Sequence, residues 1–92
     1  MSLTFEWDDA KAHANLQKHG ISFEEAASAF GDPLSVTIDD PDHSADEARF
    51  LLLGATHIGQ VVVVAHTERQ DNIRIISARR ATRQEKRDYE RE

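Results

Sequence analysis

Residues 60–83 read QVVVVAHTERQDNIRIISARRATR, and the fold is decided there. Four consecutive valines without polar alternation predict a strand that is covered on both faces or central in a sheet. Gln70, Asp71 and Asn72 predict a tight turn, and Ile73–Ala78 a second β-branched strand. Strands joined by so short a connection must be antiparallel neighbours. The second strand runs directly into Arg79 and Arg80. Thr82 and Glu85 then form a capping box that opens a terminal helix reaching about Glu92. Apart from Tyr89 that helix is almost wholly charged, so it buries little of itself and is solvated, frayed or docked on something else.

Working outward, Leu34–Ile38 and Arg49–Ala55 predict two further strands, separated by the acidic loop Asp39–Glu47, with a short turn at His57–Gly59 before the valines. Phe5-Glu6-Trp7 reads as a short strand or an extended lead-in. Asp8 caps a helix with Asp9 in its first turn, Lys18 and His19 in its last, and Gly20 as a left-handed stop. Ser22 and Glu25 make another capping box, and Phe23, Ala26, Ala27 and Phe30 follow at helical spacing. Gly31-Asp32-Pro33 ends that second helix. The expected fold is α+β, with two N-terminal helices, a small antiparallel sheet and a C-terminal helix, in a single domain spanning residues 1–92.

Composition excludes several classes. The 92 residues contain no cysteine, which removes disulfides, thiolate metal sites and cysteine nucleophiles. No apolar run approaches the ~20 residues of a membrane span, and no signal peptide precedes the first polar residues. The expected compartment is the cytoplasm, with no membrane partner. The net charge of −6 is unevenly spread. Residues 1–48 carry two Lys/Arg against eleven Asp/Glu, or −9, and residues 49–92 carry nine against six, or +3. Local potential, not the sum, steers a ligand.

Arg79 and Arg80 at a strand end present planar, permanently charged forks that match phosphate oxygens. If the strand persists, they alternate across its faces, and Arg74 and Arg80 share one face with Ile76 and Ala78. Arg49 opens another strand and is positioned to join them. His66 and Glu68 share a face at the end of the valine strand. Either is a plausible acceptor for the proton of a ribose 2′-hydroxyl, whose oxygen attacks phosphorus while arginines hold the developing charge. That scheme needs neither metal nor cofactor. For His66 the alternative is a structural histidine, and for Glu68 a salt bridge to Arg69 or Arg49. Trp7 either stacks on a base or, beside a helix start, belongs to the core. Tyr89 either anchors a partner or packs back on the sheet. His19 beside Lys18 reads as a helix C-terminal cation. His43 among Asp39, Asp40, Asp42 and Asp46 lacks the glycine and ligand spacing of a calcium loop, so no metal is expected there.

Phe5-Glu6-Trp7-Asp8, Asn15-Leu16-Gln17-Lys18-His19-Gly20, Phe23-Glu24-Glu25-Ala26 and Arg74-Ile75-Ile76-Ser77-Ala78-Arg79-Arg80-Ala81, in that order, resemble the BrnT family of toxins from type II toxin–antitoxin pairs. The resemblance covers nearly the whole chain, and its last block is the most specific. It implies a fold like that of RelE ribonuclease toxins, with helices on one side of the sheet. It also implies cleavage of cellular RNA, free or ribosome-bound, with growth arrest. Neutralisation would be by a BrnA-type ribbon-helix-helix antitoxin, through which alone the complex meets operator DNA. The expected catalytic residues are Glu68, Arg79, Arg80 and His66, the RNA-binding residues Arg49, Arg74 and Trp7, and the antitoxin-binding residue Tyr89. The competing function is a non-catalytic partner that binds the antitoxin and tunes its operator binding.

Overall fold

In a computed structural model, which describes residues 3–40 and 48–91, five strands form one sheet in the order β1-β5-β4-β3-β2. The strands are β1 (Thr4–Glu6), β2 (Val36–Asp39), β3 (Arg49–Ala55), β4 (Val61–Arg69) and β5 (Asn72–Arg80). The valine strand is central, as its lack of alternation predicts, with Val62, Val63 and Val64 buried. The four strands β2 to β5 pair antiparallel. The lead-in, however, is a true strand, and it pairs parallel to β5 from Thr4↔Asn72 to Glu6↔Arg74. The sheet is therefore mixed, which corrects the antiparallel expectation. Parallel pairing between the two ends of the chain leaves no local turn signal to read.

Helix α1 (Asp9–His19) starts at Asp8, whose carboxylate accepts the Lys11 N–H at 3.0 Å, and stops at Gly20 with φ +73°. That left-handed conformation is one a side chain would strain. Helix α2 (Phe23–Ser28) is capped by the Ser22 hydroxyl, which accepts the Glu25 N–H, and tightens into a 3-10 turn at Ala29–Gly31. The Glu25 carboxylate accepts the Thr56 hydroxyl instead of closing the capping box. Ile21, Phe23, Ala26 and Ala29 bury against Leu52, Val62, Val64, Ile75 and Ala78. Each large side chain so buried contributes roughly 1.5–3 kcal/mol.

Helix α3 (Arg83–Glu90) carries the full Thr82/Glu85 capping box. It does not join α1 and α2. Its Glu85 and Asp88 share a cavity with Val36, Ile38, Leu51, Leu53 and Val63, on the face opposite the core. The expectation of helices on one side is corrected accordingly. His43, Asp42 and Asp46 of the acidic loop, and Glu92, lie outside the described residues.

Two features of β5 set the positions of its arginines. Ala65 pairs with Ser77 and His66 with Ile75, so Ile76 is an extra residue in the ladder. This bulge reverses the alternation. Ile75 and Ala78 both face the core. Arg80 therefore shares the core face with Ala78, whereas Arg74 and Arg79 point to the opposite one. The second feature is Asn15. Beyond Arg74 the β5 edge has no neighbouring strand among the described residues, and the buried Asn15 amide takes that place. Its Oδ1 accepts the Ala78 N–H at 3.1 Å, and its Nδ2 donates to the Ala78 carbonyl at 2.9 Å and the Ile21 carbonyl at 3.0 Å.

Asn15→Ala removes all three bonds and leaves buried backbone groups unpaired, each worth about 1–3 kcal/mol. The variant should lose about 3 kcal/mol in urea unfolding with an unchanged slope. A loss below about 1 kcal/mol would rule out a structural role for this pairing.

Candidate functional site

Arg79 and Arg80 stand at the end of a strand held on one side by β4 and on the other by Asn15, so their backbone is rigid. Their guanidinium groups meet different surroundings. Arg79 Nη1 and Nη2 donate to the two Glu85 oxygens at 2.8 and 2.9 Å, and Nη1 also reaches the Arg80 carbonyl at 3.3 Å. Glu85 Oε1 further accepts the Thr82 N–H at 2.8 Å. One carboxylate thus closes the α3 cap and ties that helix to β5. The Arg79 fork holds the Glu85 carboxyl down at about 2 from its usual 4.5, with the Thr82 N–H adding to the effect. The same bonds push the Arg79 pKa up.

Arg80 is exposed, and among the described residues its guanidinium makes no ion pair. It lies beside the carboxyl end of α1, where a Cβ built on Gly20 would sit 3.9 Å from Arg80 Nη2. Lys18 and His19 occupy the same helix end. The partial negative charge of a helix C-terminus, about −0.5, favours the Lys18 and Arg80 charges there. His19 and Lys18 also line a groove between α1 and the β5 edge, together with Lys11, Ile76 and Ser77.

The other expected site residues lie elsewhere. Glu68 pairs with Ile73 and Arg80 with Val62. Seven residues of strand separate them, about 23 Å at the usual rise. Glu68 is exposed near the β4–β5 turn, beside Leu3, Gln70 and Asp71. His66 is 2% exposed, with its ring centroid 4.8 Å from that of Phe30 and 5.8 Å from that of Phe50. Its Nδ1 donates to the Val64 carbonyl at 3.2 Å. Burial lowers its pKa, against the raising effects of that bond and of Glu68. The ring is part of the core and cannot reach a ribose. Trp7 likewise packs edge-on against Phe23, with centroids 5.8 Å apart.

Arg49 and Arg74 flank Thr67 in register on the face opposite the core. Asn72 Nδ2 donates to Glu6 Oε1 at 3.1 Å and Arg74 Nη1 to Glu6 Oε2 at 3.0 Å, and these bonds lower the Glu6 pKa. Tyr89 donates its hydroxyl to Asp32, which also accepts the Leu34 and Ala55 N–H groups. That bond lowers the Asp32 pKa and raises that of Tyr89. Of the two readings of Tyr89, packing back on its own chain is the one realised here.

The structure therefore brings Arg80 to Gly20, at the helix end that carries Lys18 and His19, and separates it from Glu68, His66 and the face of Arg74 and Arg79. Sequence reasoning took Glu85 only as a cap and did not single out Asn15. The pairing of Glu85 with Arg79 had a signal, since the acid lies six residues beyond a strand-end arginine. Asn15 had none beyond its place in the family-like block.

A family model described as "Ribonuclease toxin, BrnT, of type II toxin-antitoxin system" matches residues 7–85. The structure aligns with the crystal structure of the Brucella abortus ribonuclease toxin BrnT. The TM-score is 0.60 at 24% identity, over 89% of this chain and 100% of that one, a likeness of fold. No curated protein matches the sequence.

The Arg79–Glu85 bond gives a pH signature. Because the folded carboxyl is depressed, its stabilisation is complete above about 4.5 and is lost as pH falls toward about 2. Glu85→Gln should lower the melting temperature at pH 7, and its deficit should shrink between pH 4.5 and 2. A deficit independent of pH would show that the ion pair does not secure α3.

Proposed function

This chain belongs to the BrnT family of ribonuclease toxins from type II toxin–antitoxin systems, and on that premise we propose that it is an endoribonuclease that cuts cellular RNA without a metal. It arrests growth in the cytoplasm and is neutralised by a BrnA-type ribbon-helix-helix antitoxin. Operator DNA is met only through that antitoxin. The observation that carries the catalytic reading is the exposed Arg80 guanidinium, fixed on a strand end beside Lys18 and His19.

The chemistry follows from those groups. Cleavage by the ribose 2′-oxygen requires a proton acceptor, an in-line attack and stabilisation of charge on the phosphoryl oxygens. Arg80 donates two parallel hydrogen bonds to those oxygens. Lys18 adds a point charge beside them. His19 is the nearby side chain able to accept a proton, and it takes the one from the 2′-hydroxyl. The 5′-oxygen of the next nucleotide leaves with a proton, and a 2′,3′-cyclic phosphate remains. Arg79 acts through α3, because its fork is already filled by Glu85. Arg49 and Arg74 offer a secondary phosphate contact on the far face.

The filled Arg79 fork favours a second reading, a non-catalytic partner that binds the antitoxin and modulates its grip on operator DNA. Cleavage separates the two. In EDTA, the purified antitoxin-free chain should cut end-labelled messenger RNA to leave 2′,3′-cyclic ends. Arg80→Ala should slow the reaction about 10²- to 10³-fold, the typical loss of one transition-state donor. His19→Ala should slow it too, while His66→Phe retains cleavage. Equal cleavage by wild type and Arg80→Ala would remove Arg80 from the site, and cleavage by neither, with or without ribosomes, would favour the non-catalytic partner.

A further inference from the structure

We propose that the groove between α1 and the free edge of β5 is a track for the phosphate backbone of single-stranded RNA, with Lys11 and Lys18 as phosphate contacts leading to Arg80. The proposal rests on the ribonuclease reading and names the path its substrate takes.

Three observations carry it. Residues 1–48 hold two Lys/Arg against eleven Asp/Glu. Both of those cations, Lys11 and Lys18, line this groove, and none of its lining residues is acidic. Asp8, the nearby acid, is committed to the helix as its cap. Second, the helix dipole accounts for Lys18 and His19 but not for Lys11. That residue stands in the first turn, where the positive end of the helix disfavours a cation. A lysine placed against the dipole, on the same face as Lys18, needs another reason, and an anionic ligand along the helix supplies one. Third, the groove is open to a strand. It has a volume of about 230 Å³, runs beside Ile76 and Ser77, and stays clear because β1 pairs with β5 only as far as Arg74.

Geometry also selects the substrate class. Lys11 and Lys18 are seven residues apart, so they stand roughly 10 Å apart along the helix axis. They form one row. A duplex reader must contact the phosphates of two strands across a groove, and the row offers contacts to one. None of the lining residues is Phe, Tyr or Trp, so bases find no large stacking platform there. Binding through it is therefore electrostatic, salt-dependent and tolerant of base sequence.

The test measures affinity against salt concentration for the full chain and a short fluorescent 2′-O-methyl RNA single strand. That probe lacks the 2′-hydroxyl and is not consumed. Each phosphate contact contributes about 0.7 to the slope of log affinity against log salt for single strands, so Lys11→Gln/Lys18→Gln should lower the slope by about 1.4. Between 50 and 200 mM salt, the wild type should lose about sevenfold more affinity than the variant. Glutamine keeps helix propensity close to that of lysine. Lys86→Gln/Arg87→Gln, on exposed α3, should leave the slope unchanged. Equal slopes for the wild type and the groove variant would overturn the proposal, as would the same reduction in the α3 variant. Cleavage of ordinary RNA in EDTA is scored in parallel. Cleavage with equal slopes sinks the groove alone. A lysine-dependent slope without cleavage sinks the nuclease reading and leaves the groove standing. No binding of the probe by the wild type overturns the groove.

Discussion

The Asn15 amide against the Ala78 backbone is the constraint on which the rest of the molecule depends. β1 covers only the first three residues of β5. An unprotected strand edge beyond them would offer free N–H and C=O groups to any other chain. One side chain on α1 satisfies both groups of Ala78 and the carbonyl that follows the helix turn. It thereby fixes the distance of α1 from the sheet, and with it the place of Lys18, His19 and Gly20 relative to Arg80. Because the bonds are buried, water cannot substitute for them, and their net worth exceeds that of surface bonds.

The attachment of α3 is of a different kind. No residue of the helix is buried. It is held through Arg79–Glu85 near its start and Tyr89–Asp32 near its end. The ion pair is about a third exposed, with side-chain accessibilities of 43% and 31%, and pairs in that setting contribute little through charge alone. Its bidentate geometry supplies orientation more than energy. The cost of leaving α3 is therefore small beside the cost of moving α1. Below it, Val36, Leu51, Leu53 and Val63 form an apolar surface that the helix only partly covers.

Much of this was legible in the sequence because the signals were local. The valine run gave a central strand, Asp8 and Gly20 bounded α1, and Thr82 with Glu85 opened α3. What could not be read depended on distant pairing. β1 finds its partner across the whole chain, so Phe5-Glu6-Trp7 left strand and lead-in equally open. The bulge at Ile76 has no residue signature, since isoleucine is ordinary in a strand. Yet it moves Arg74 and Arg80 to opposite faces. His66 looked chemical because histidine near arginines often is. Its place under Phe30 and Phe50 depends on packing from α2 and β3. Glu68 stands near Arg69 in sequence but about 23 Å along the strand axis from Arg80, a separation that depends on the pairing of β4 with β5.

For an acidic member of a ribonuclease-toxin family, the proposed RNA path rests on the placement of charges and not on their total. At physiological ionic strength the Debye length is about 8 Å, so an exposed charge is felt mainly within its own neighbourhood. In a molecule with extents of 32 × 30 × 26 Å, acids on distant faces are thus largely screened from the α1–β5 groove, whereas Asp8 stands beside Lys11 as the helix cap. Those that do sit near cations on the sheet are used up, Glu85 by Arg79 and Glu6 by Arg74. Within the groove, Lys11, Lys18 and His19 face a strand edge without an acidic lining residue. The charged residues lining it are lysines, although the net charge of the chain is −6. On the proposed path, acids elsewhere on the surface repel an RNA strand, which favours the groove that leads to Arg80.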